Sequence, residues 1–468
     1  MNRDSLLIGG RWVTTSESLE VENPATEDVI AVVGRATPGH VEDAVRAARA
    51  AARAWEEAGP QRRADLVAAL ADRLRDRRAA LIDATVAEVG APVTVAAEAH
   101  VDLAIEIVAS AAKIGRELAT EERLGTSVLV RRPVGVAACI TPWNYPLYQL
   151  AAKVAPALVA GCPVVVKPAE LTPMSAYLLA DAVQDVGFPA GVVNLVPGYG
   201  TDVGQALVEH PDVDLVSFTG STRVGRQIAA TAGARLARVC LELGGKSASV
   251  VCPDADLETA VRATVDSATL NSGQTCSALT RLIVPREAYA AALDVAADHA
   301  RRIVVGDPGD AATQMGPLIS AAQREQVRAA VDGAVARGAR LVAGGTVPDG
   351  LDRGYFYTPT VLADLDPADS ASQDEIFGPV LVVHAARDDE DALAIANGTR
   401  YGLAGAVWSG DEERAMRLAR RMDTGQVDIN GAAFNVDAPF GGWKDSGVGR
   451  ELGPAGVEEY LEITAVQR

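Results

Sequence analysis

Apolar positions recur every three to four residues through HVEDAVRAARAAARAWEEA from His40 and through QRRADLVAALADRLRDRRAALIDATVAEVG from Gln61. That spacing predicts amphipathic helices, and Gly90 followed by Pro92 marks where the second stretch stops. The period changes at Thr126, where TSVLVRRPVGV alternates and predicts a strand or hairpin arm that projects from the body. From Cys139 onward, short apolar runs alternate with helical stretches: PVVVKP, a helix near Ala176 to Val186, VVNLVP, VDLVSFTG and RVCLELGG. The alternation resumes after Cys276 with TRLIVP, a helix from Glu287, ARLVAGG, GPVLVVHA, a helix near Asp391, LAGAVWS, a helix from Glu412 and GQVDIN. Strand and helix in alternation predict βαβ units in parallel sheets, here two α/β units. The closing VEEYLEITAVQR is strand-like and suits pairing with an edge, of the projecting arm or of another subunit.

Length and composition narrow the function classes. A chain of 468 residues predicts two or three domains, enough to bury a cleft between them. Its 49% apolar and 22% charged residues match an ordinary globular protein. A formal charge of −19 opposes nucleic acid and anionic membrane as partners. MNRDSLLIGGRWV has too short an apolar run for a secretory signal, and no later run reaches about 18 apolar residues, so a cytoplasmic protein is expected. Five scattered cysteines without a C-x-x-C pair argue against a disulfide framework, and five scattered histidines give no metal-ligand spacing. Cys139 and Cys240 lie in apolar runs that predict burial, whereas Cys276 stands in the polar, glycine-containing LNSGQTCSALTR.

Four further stretches carry candidate chemistry. VSFTGSTRVGR sets Gly220 and Gly225 between an apolar run and a helical one, where backbone amides can meet a pyrophosphate. The spacing G-x-x-x-x-G is not the dinucleotide fingerprint, so alone it fits a plain strand-to-helix turn equally well. VVVKPAELTP places Lys167 and Glu170 at the end of a buried strand, where α/β sheets hold ligands. ITPWNYPL holds Trp143, Asn144 and Tyr145 between two prolines, and the Asn144 amide can donate to an oxyanion without titrating. LELGGKS offers Glu242, a carboxylate whose partly apolar surroundings suit a general base near neutral pH.

Taken in order, ITPWNYPL, KVAPALVAG, VVVKPAELTP, FTGSTRVG, LELGGKS, GQTC, EIFGPV and FGGWKDSGVGRELG resemble the segments of the aldehyde dehydrogenase superfamily, nearly end to end. The resemblance implies an α/β fold with a Rossmann-like cofactor domain, an α/β catalytic domain and a small β oligomerisation arm. It places the cofactor domain at 1–117 and 135–243, the catalytic domain at 244–439, and the arm and tail at 118–134 and 455–468, with 440–454 returning to the cofactor domain.

By the same resemblance Cys276 is the nucleophile, Glu242 the general base, and Asn144 with the Cys276 amide the oxyanion site. Lys153 and Glu462 match positions of a proton path near the base. Lys167 and Glu170 match adenosine-ribose contacts, Gly220, Ser221 and Gly225 a pyrophosphate turn, and Glu375 with Phe377 nicotinamide-side contacts. Ile140, Pro142, Trp143, Gly200 and Gly244 complete the expected cofactor set. Tyr145, Tyr148, Gln149, Ala152, Thr275, Ser277 and Phe434 are the expected walls of a substrate tunnel, and Arg281 a structural residue opening the next strand. Ala152 stands where relatives often carry tryptophan, which points to a wider tunnel and a bulky or aromatic aldehyde.

The resemblance implies NAD or NADP as cofactor. Glu170 would accept from a ribose 2′-hydroxyl and repel a 2′-phosphate, favouring NAD. It also implies a homodimer or homotetramer built on the arm and tail, and no metal. Glu242 favours hydrolysis over release to coenzyme A. A cysteine hydrolase would need an activating histidine, and none lies in the matched motifs. A semialdehyde or betaine-aldehyde dehydrogenase, and a catalytically silent binding protein on the same fold, are the remaining alternatives.

Overall fold

The structure is a computed structural model that describes residues 2–468. Its largest sheet has eight strands, in the order Gly447–Val448, Arg238–Glu242, Leu215–Thr219, Ala137–Ile140, Val164–Lys167, Val193–Leu195, Ser5–Ile8 and Arg11–Thr14. The five from Arg238–Glu242 to Val193–Leu195 run parallel, and the outer ones are antiparallel. Runs such as Val164–Lys167 and Leu215–Thr219 are buried at every position, because helices cover both faces of a parallel sheet. The Ser5–Ile8 and Arg11–Thr14 hairpin was not foreseen among the helical patterns of the first third. Gly9 and Gly10, at φ 59° and 76°, make its turn.

A second sheet of seven strands is ordered Arg340–Ala343, Thr360–Ala363, Val380–Ala386, Arg281–Pro285, Ala248–Val251, Ala404–Trp408 and Gln426–Ile429, and only the first pair is antiparallel. The alternating arm forms the hairpin Glu121–Leu124 and Ser127–Pro133, and the tail Leu461–Gln467 pairs with the arm's second strand, Leu461 opposite Pro133 and Gln467 opposite Ser127. Arg281 opens its strand and is buried, its guanidinium donating to the carbonyls of Lys246, Ile395 and Ala396 at 2.6–2.8 Å.

The helical stretch from Gln61 is two helices, Gly59–Asp76 and Arg78–Val89, broken at Arg77 (φ −98°, ψ 8°). Gly90, left-handed at φ 76°, ends the second as its position predicts. One end of each sheet lines the same cavity. Carboxyl ends of the first lead into Pro142, Glu170, Gly220 and Gly244, while Cys276 and Phe377 precede the amino ends of Arg281–Pro285 and Val380–Ala386 in the second. A cleft between them is therefore lined from both sides.

Candidate active site

The loop before Cys276 is wound against its preference. Asn271, Ser272 and Gly273 are all left-handed, at φ 52°, 59° and 71°. Surrounding bonds hold it there: Ser272 Oγ donates to Gly316 O at 2.9 Å, and the Gln274 amide donates to Asn271 O at 3.1 Å while accepting from Ile319 N at 2.8 Å. A side chain at 273 would meet the Gly378 backbone at 2.2 Å, so glycine alone fits. The loop thus delivers the Cys276 thiol, half-buried, to a cavity of about 240 Å³ that Asn144, Trp143, Gly220, Glu375 and Phe377 also line.

Asn144 Nδ2 donates to Gln274 O at 2.9 Å, in the same loop, and Asn271 Nδ2 donates back to Asn144 O at 2.9 Å. A primary amide has two N–H groups. One Asn144 N–H is fixed by the loop, which leaves the other for an oxygen bound at the thiol.

Glu242 ends a strand with 1% of its surface exposed, and among the described residues neither carboxylate oxygen has a hydrogen-bond partner. Burial pushes its carboxyl well above the usual range, the charge of Glu451 adds to this, and Lys153 and Arg450 oppose it. Beside it runs a buried row: Lys153 Nζ donates to Glu451 and, at 2.6 Å, to Thr219 Oγ1, which donates to Gln149 Oε1 at 3.1 Å.

Two expectations need correction at this row. Glu462 is not in it: the Leu461–Gln467 strand is exposed after its first residue, and Glu462 pairs with Arg238 at 2.9 Å. The carboxylate that meets Lys153 is Glu451, turned inward where Phe440 and Glu451 exchange backbone hydrogen bonds at 2.7 Å. Its signal was present as the one acid inside GRELG, flanked by turn residues. Gln149, expected as a tunnel wall, instead shares a helix face with Lys153 four residues on, whereas Tyr148 and Ala152 share another.

The Cys276 thiol is pushed up, first by burial and then by the charges of Glu242 and Glu375, while the Ser277 amide opposes this. The resting nucleophile is therefore a thiol that needs a base. Thr275 on one side accepts or donates at 2.7 Å with the Tyr145 hydroxyl, and Ser277 on the other is half-buried.

A second cavity, about 400 Å³, is bordered by Ile140, Glu170, Tyr199, Gly200 and Val224. Lys167, buried, donates to Pro168 O at 2.8 Å and lies 3.8 Å from the Glu170 carboxylate. Burial lowers the Lys167 pKa, and Glu170 and Asp202 oppose the fall. Ser221 Oγ caps the helix Thr222–Ala234 by accepting from Val224 N at 3.4 Å. A Cβ at Gly225 would meet the tip of Leu243 at 2.4 Å and one at Gly220 the tip of Phe218 at 2.5 Å, so both turns pack closely beneath these side chains.

Glu375 Oε1 accepts from Gly245 N at 3.0 Å, and burial raises its carboxyl to about 7. A Cβ at Gly244 would lie 2.3 Å from that carboxylate. Phe377, left-handed at φ 59°, sets its ring edge-on to Trp143 at 5.3 Å, and Gln323 Nε2 holds its carbonyl at 2.9 Å. Gln323 and Gln326 line the first cavity from the helix Ala321–Ala336, and nothing in their helical sequence pattern distinguishes them. Two cavities along one cleft, an amide-rich helix start and carboxylates at both ends suit the two ribose halves and pyrophosphate of a dinucleotide.

Tyr145, Tyr148, Phe434 and Phe440 form a chain of rings with centroids 6.1–6.5 Å apart. Ala152 borders a crevice of about 10 Å³, room for about one water, with Ile107, Ser110, Val436 and Leu452. Among the described residues no cluster of His, Cys, Asp and Glu could hold a metal ion, and no helix is long and apolar enough to cross a membrane.

A family model described as Aldehyde dehydrogenase family matches residues 12–466. A 3-succinoylsemialdehyde-pyridine dehydrogenase from a Pseudomonas species is 46% identical over 463 residues, covering 98% of this chain and 97% of that protein. The solved structure of a mutant Aldehyde Dehydrogenase C from Pseudomonas syringae, complexed with NAD+ and octanal, superposes with a TM-score of 0.98 at 43% identity, covering 99% of this chain and 96% of that one. A Mycobacterium tuberculosis aldehyde dehydrogenase complexed with NAD+ gives a TM-score of 0.98 at 41% identity, over 100% and 98% of the chains.

Proposed function

The chain belongs to the aldehyde dehydrogenase family, and on that premise we propose that it oxidises a bulky or aromatic aldehyde to the free carboxylic acid with NAD. The observation that carries the reading is the convergence on one loop: Asn144 is bonded to the loop that presents Cys276, and a buried, unpartnered Glu242 acts on the thiol by its charge.

Glu242 takes the thiol proton, and the sulfur attacks the aldehyde carbon, forming a C–S bond. The oxygen becomes negative and is met by the free Asn144 N–H and the Cys276 backbone N–H. A nicotinamide held in the cleft beside Glu375 would supply the hydride acceptor for oxidation of the carbon to the thioester level. Glu242 then withdraws a proton from water, which attacks the thioester carbon and releases acid and thiol. Glu242 passes its protons toward the buried row of Lys153, Glu451 and Thr219, in which Lys153 and Glu451 act on it by their charges.

Gly220, Ser221 and Gly225 would hold the pyrophosphate, Lys167 and Glu170 the adenosine ribose, and Glu375 the nicotinamide ribose. Glu170 on the ribose side and NAD+ in two similar proteins support NAD over NADP. The aromatic ring chain and the pyridine-bearing substrate in a relative's name support a bulky aldehyde. We infer a cytoplasmic homodimer or homotetramer that pairs through the arm and tail, where Leu124, Ile463 and Val466 are exposed apolar residues. Residues 118–134 and 455–468 then form an oligomerisation unit apart from the cofactor domain (1–117, 135–243 and 440–454) and the catalytic domain (244–439). Following nicotinamide reduction over an aldehyde panel, NAD against NADP, in wild type and Cys276→Ala tests class, cofactor and nucleophile together. Equal activity in Cys276→Ala overturns the reading.

A further inference from the structure

The cavity on the adenosine side holds one arginine that the proposed function does not use. Arg223 is the second residue of the helix Thr222–Ala234 and borders that cavity together with Glu170. Its side chain is exposed, and among the described residues its guanidinium has no hydrogen bond or ion pair. Other arginines around the cavity are engaged. Arg226 pairs with Asp445 at 2.6 Å, Arg235 donates to Val208 O at 3.1 Å, and Arg35 pairs with Asp202 at 2.6 Å. Carboxylates are plentiful in a chain with 62 acidic and 43 basic residues, yet Arg223 borders open space instead of one of them.

Arg223, Val224, Gln227, Ile228 and Thr231 all border the cavity, which is the spacing of one helix face. Val208, Phe218 and Ile228 supply the apolar surface that an adenine ring needs. The charged residues of the lining are Glu170 and Arg223. Glu170 lies 3.8 Å from the buried ammonium of Lys167, so its charge is already answered, and Arg223 leaves the lining with a positive charge to spare. A ribose 2′-hydroxyl is neutral and makes no use of that charge. A 2′-phosphate in its place brings about two negative charges and three acceptor oxygens, which a guanidinium fork meets with charge-assisted hydrogen bonds.

We propose that Arg223 is a cofactor-specificity residue: its guanidinium takes the 2′-phosphate of NADP beside Glu170, so the protein binds NADP as a second cofactor although Glu170 favours NAD. The proposal rests on the dinucleotide reading of the cleft and deepens it. An acidic residue selects the 2′-hydroxyl and a nearby arginine accommodates the 2′-phosphate, and here both stand in one cavity wall. Arginine suits the task better than lysine, because its planar fork matches phosphate geometry with two parallel donors.

The test is calorimetric titration of wild type, Arg223→Gln and Arg223→Lys with NAD and with NADP, without aldehyde, so that binding is read and turnover is not. Wild type is expected to bind both, NAD more tightly. Arg223→Gln is expected to weaken NADP about tenfold, the worth of one charge-assisted hydrogen bond, and NAD by less than about twofold. Arg223→Lys keeps the charge without the fork and is expected to retain part of the NADP affinity. Wild type that binds NAD and no NADP, or an unchanged NADP affinity in Arg223→Gln, overturns the assignment and leaves the dinucleotide reading intact. Equal losses of NAD and NADP in Arg223→Gln also overturn it, since they place the guanidinium on the pyrophosphate that both cofactors share. If wild type binds neither nucleotide, the dinucleotide reading itself fails and this assignment falls with it.

Discussion

Lys153 and Glu451, 298 positions apart in sequence, form an ion pair with at most 3% of either side chain exposed. The second Glu451 oxygen has no partner among the described residues, nor has either oxygen of Glu242. One ammonium therefore faces two carboxylates away from water. The pair satisfies Lys153, and burial holds the remaining acid, Glu242, well above the usual carboxylate range.

Glu451→Gln removes a negative charge near Glu242 and leaves the Lys153 ammonium to stabilise its carboxylate. The Glu242 pKa falls, and the acid limb of the kcat–pH profile moves to lower pH. The protein also loses stability, on the order of 3–5 kcal/mol, because a buried charge loses its partner. Glu462→Gln breaks only an exposed pair with Arg238, worth about 0–1 kcal/mol, and leaves the limb in place. A pH–rate profile of both variants decides between the two glutamates.

Wild-type activity rises with pH. Both Cys276 and Glu242 are held above their ordinary values, so the reactive thiolate and the free base each gain population as protons leave. Single-turnover rates across pH 6 to 10 should climb on the acid side, and a rate that falls over this interval contradicts the arrangement of carboxylates around the thiol.

Asn144→Ala removes one oxyanion donor and is expected to lower kcat about 100- to 1000-fold. The loop bond to Gln274 is lost with it, so a thermal-unfolding measurement accompanies the kinetics. Fluorescence titration with NAD should show little change, since Asn144 acts on the aldehyde oxygen. Near-normal kcat would remove Asn144 from the oxyanion site.

Lys246, two residues after Gly244, is 2% exposed with no partner for its ammonium among the described residues. Burial, reinforced by Arg281, lowers its pKa from 10.5 to about 7. Between these values the unfolded chain holds a proton that the folded chain has lost, so folding stability rises with pH across the window and the full penalty applies below it. Lys246→Met should stabilise the protein at pH 6 by about 1–3 kcal/mol, with the advantage shrinking toward pH 10. Chemical denaturation at the two pH values measures it.

The parallel sheets were legible because their strands are short apolar runs set between helical periods, and Cys276, Asn144 and Glu242 because each leaves such a run in an unusual local sequence. The hairpin Ser5–Ile8 and Arg11–Thr14 was not, since two four-residue strands beside long helices give little periodic signal. Glu462 and Glu451 show the other limit. Both are single acids near the chain's end, and only the fold turns one inward and leaves the other on an exposed strand. Gln149 was misplaced by sequence proximity to the tunnel residues, when helical geometry turns it toward Thr219.

The central claim is that oxidation passes through an acyl group on Cys276 that Glu242-activated water removes. Intact-protein and peptide mass spectrometry of Glu242→Gln, incubated with an aldehyde substrate and NAD at alkaline pH, tests it most directly. The account predicts one added group, the mass of the aldehyde less two hydrogens, on the peptide that contains Cys276. Nicotinamide reduction without that adduct, or an adduct on another residue, would contradict it.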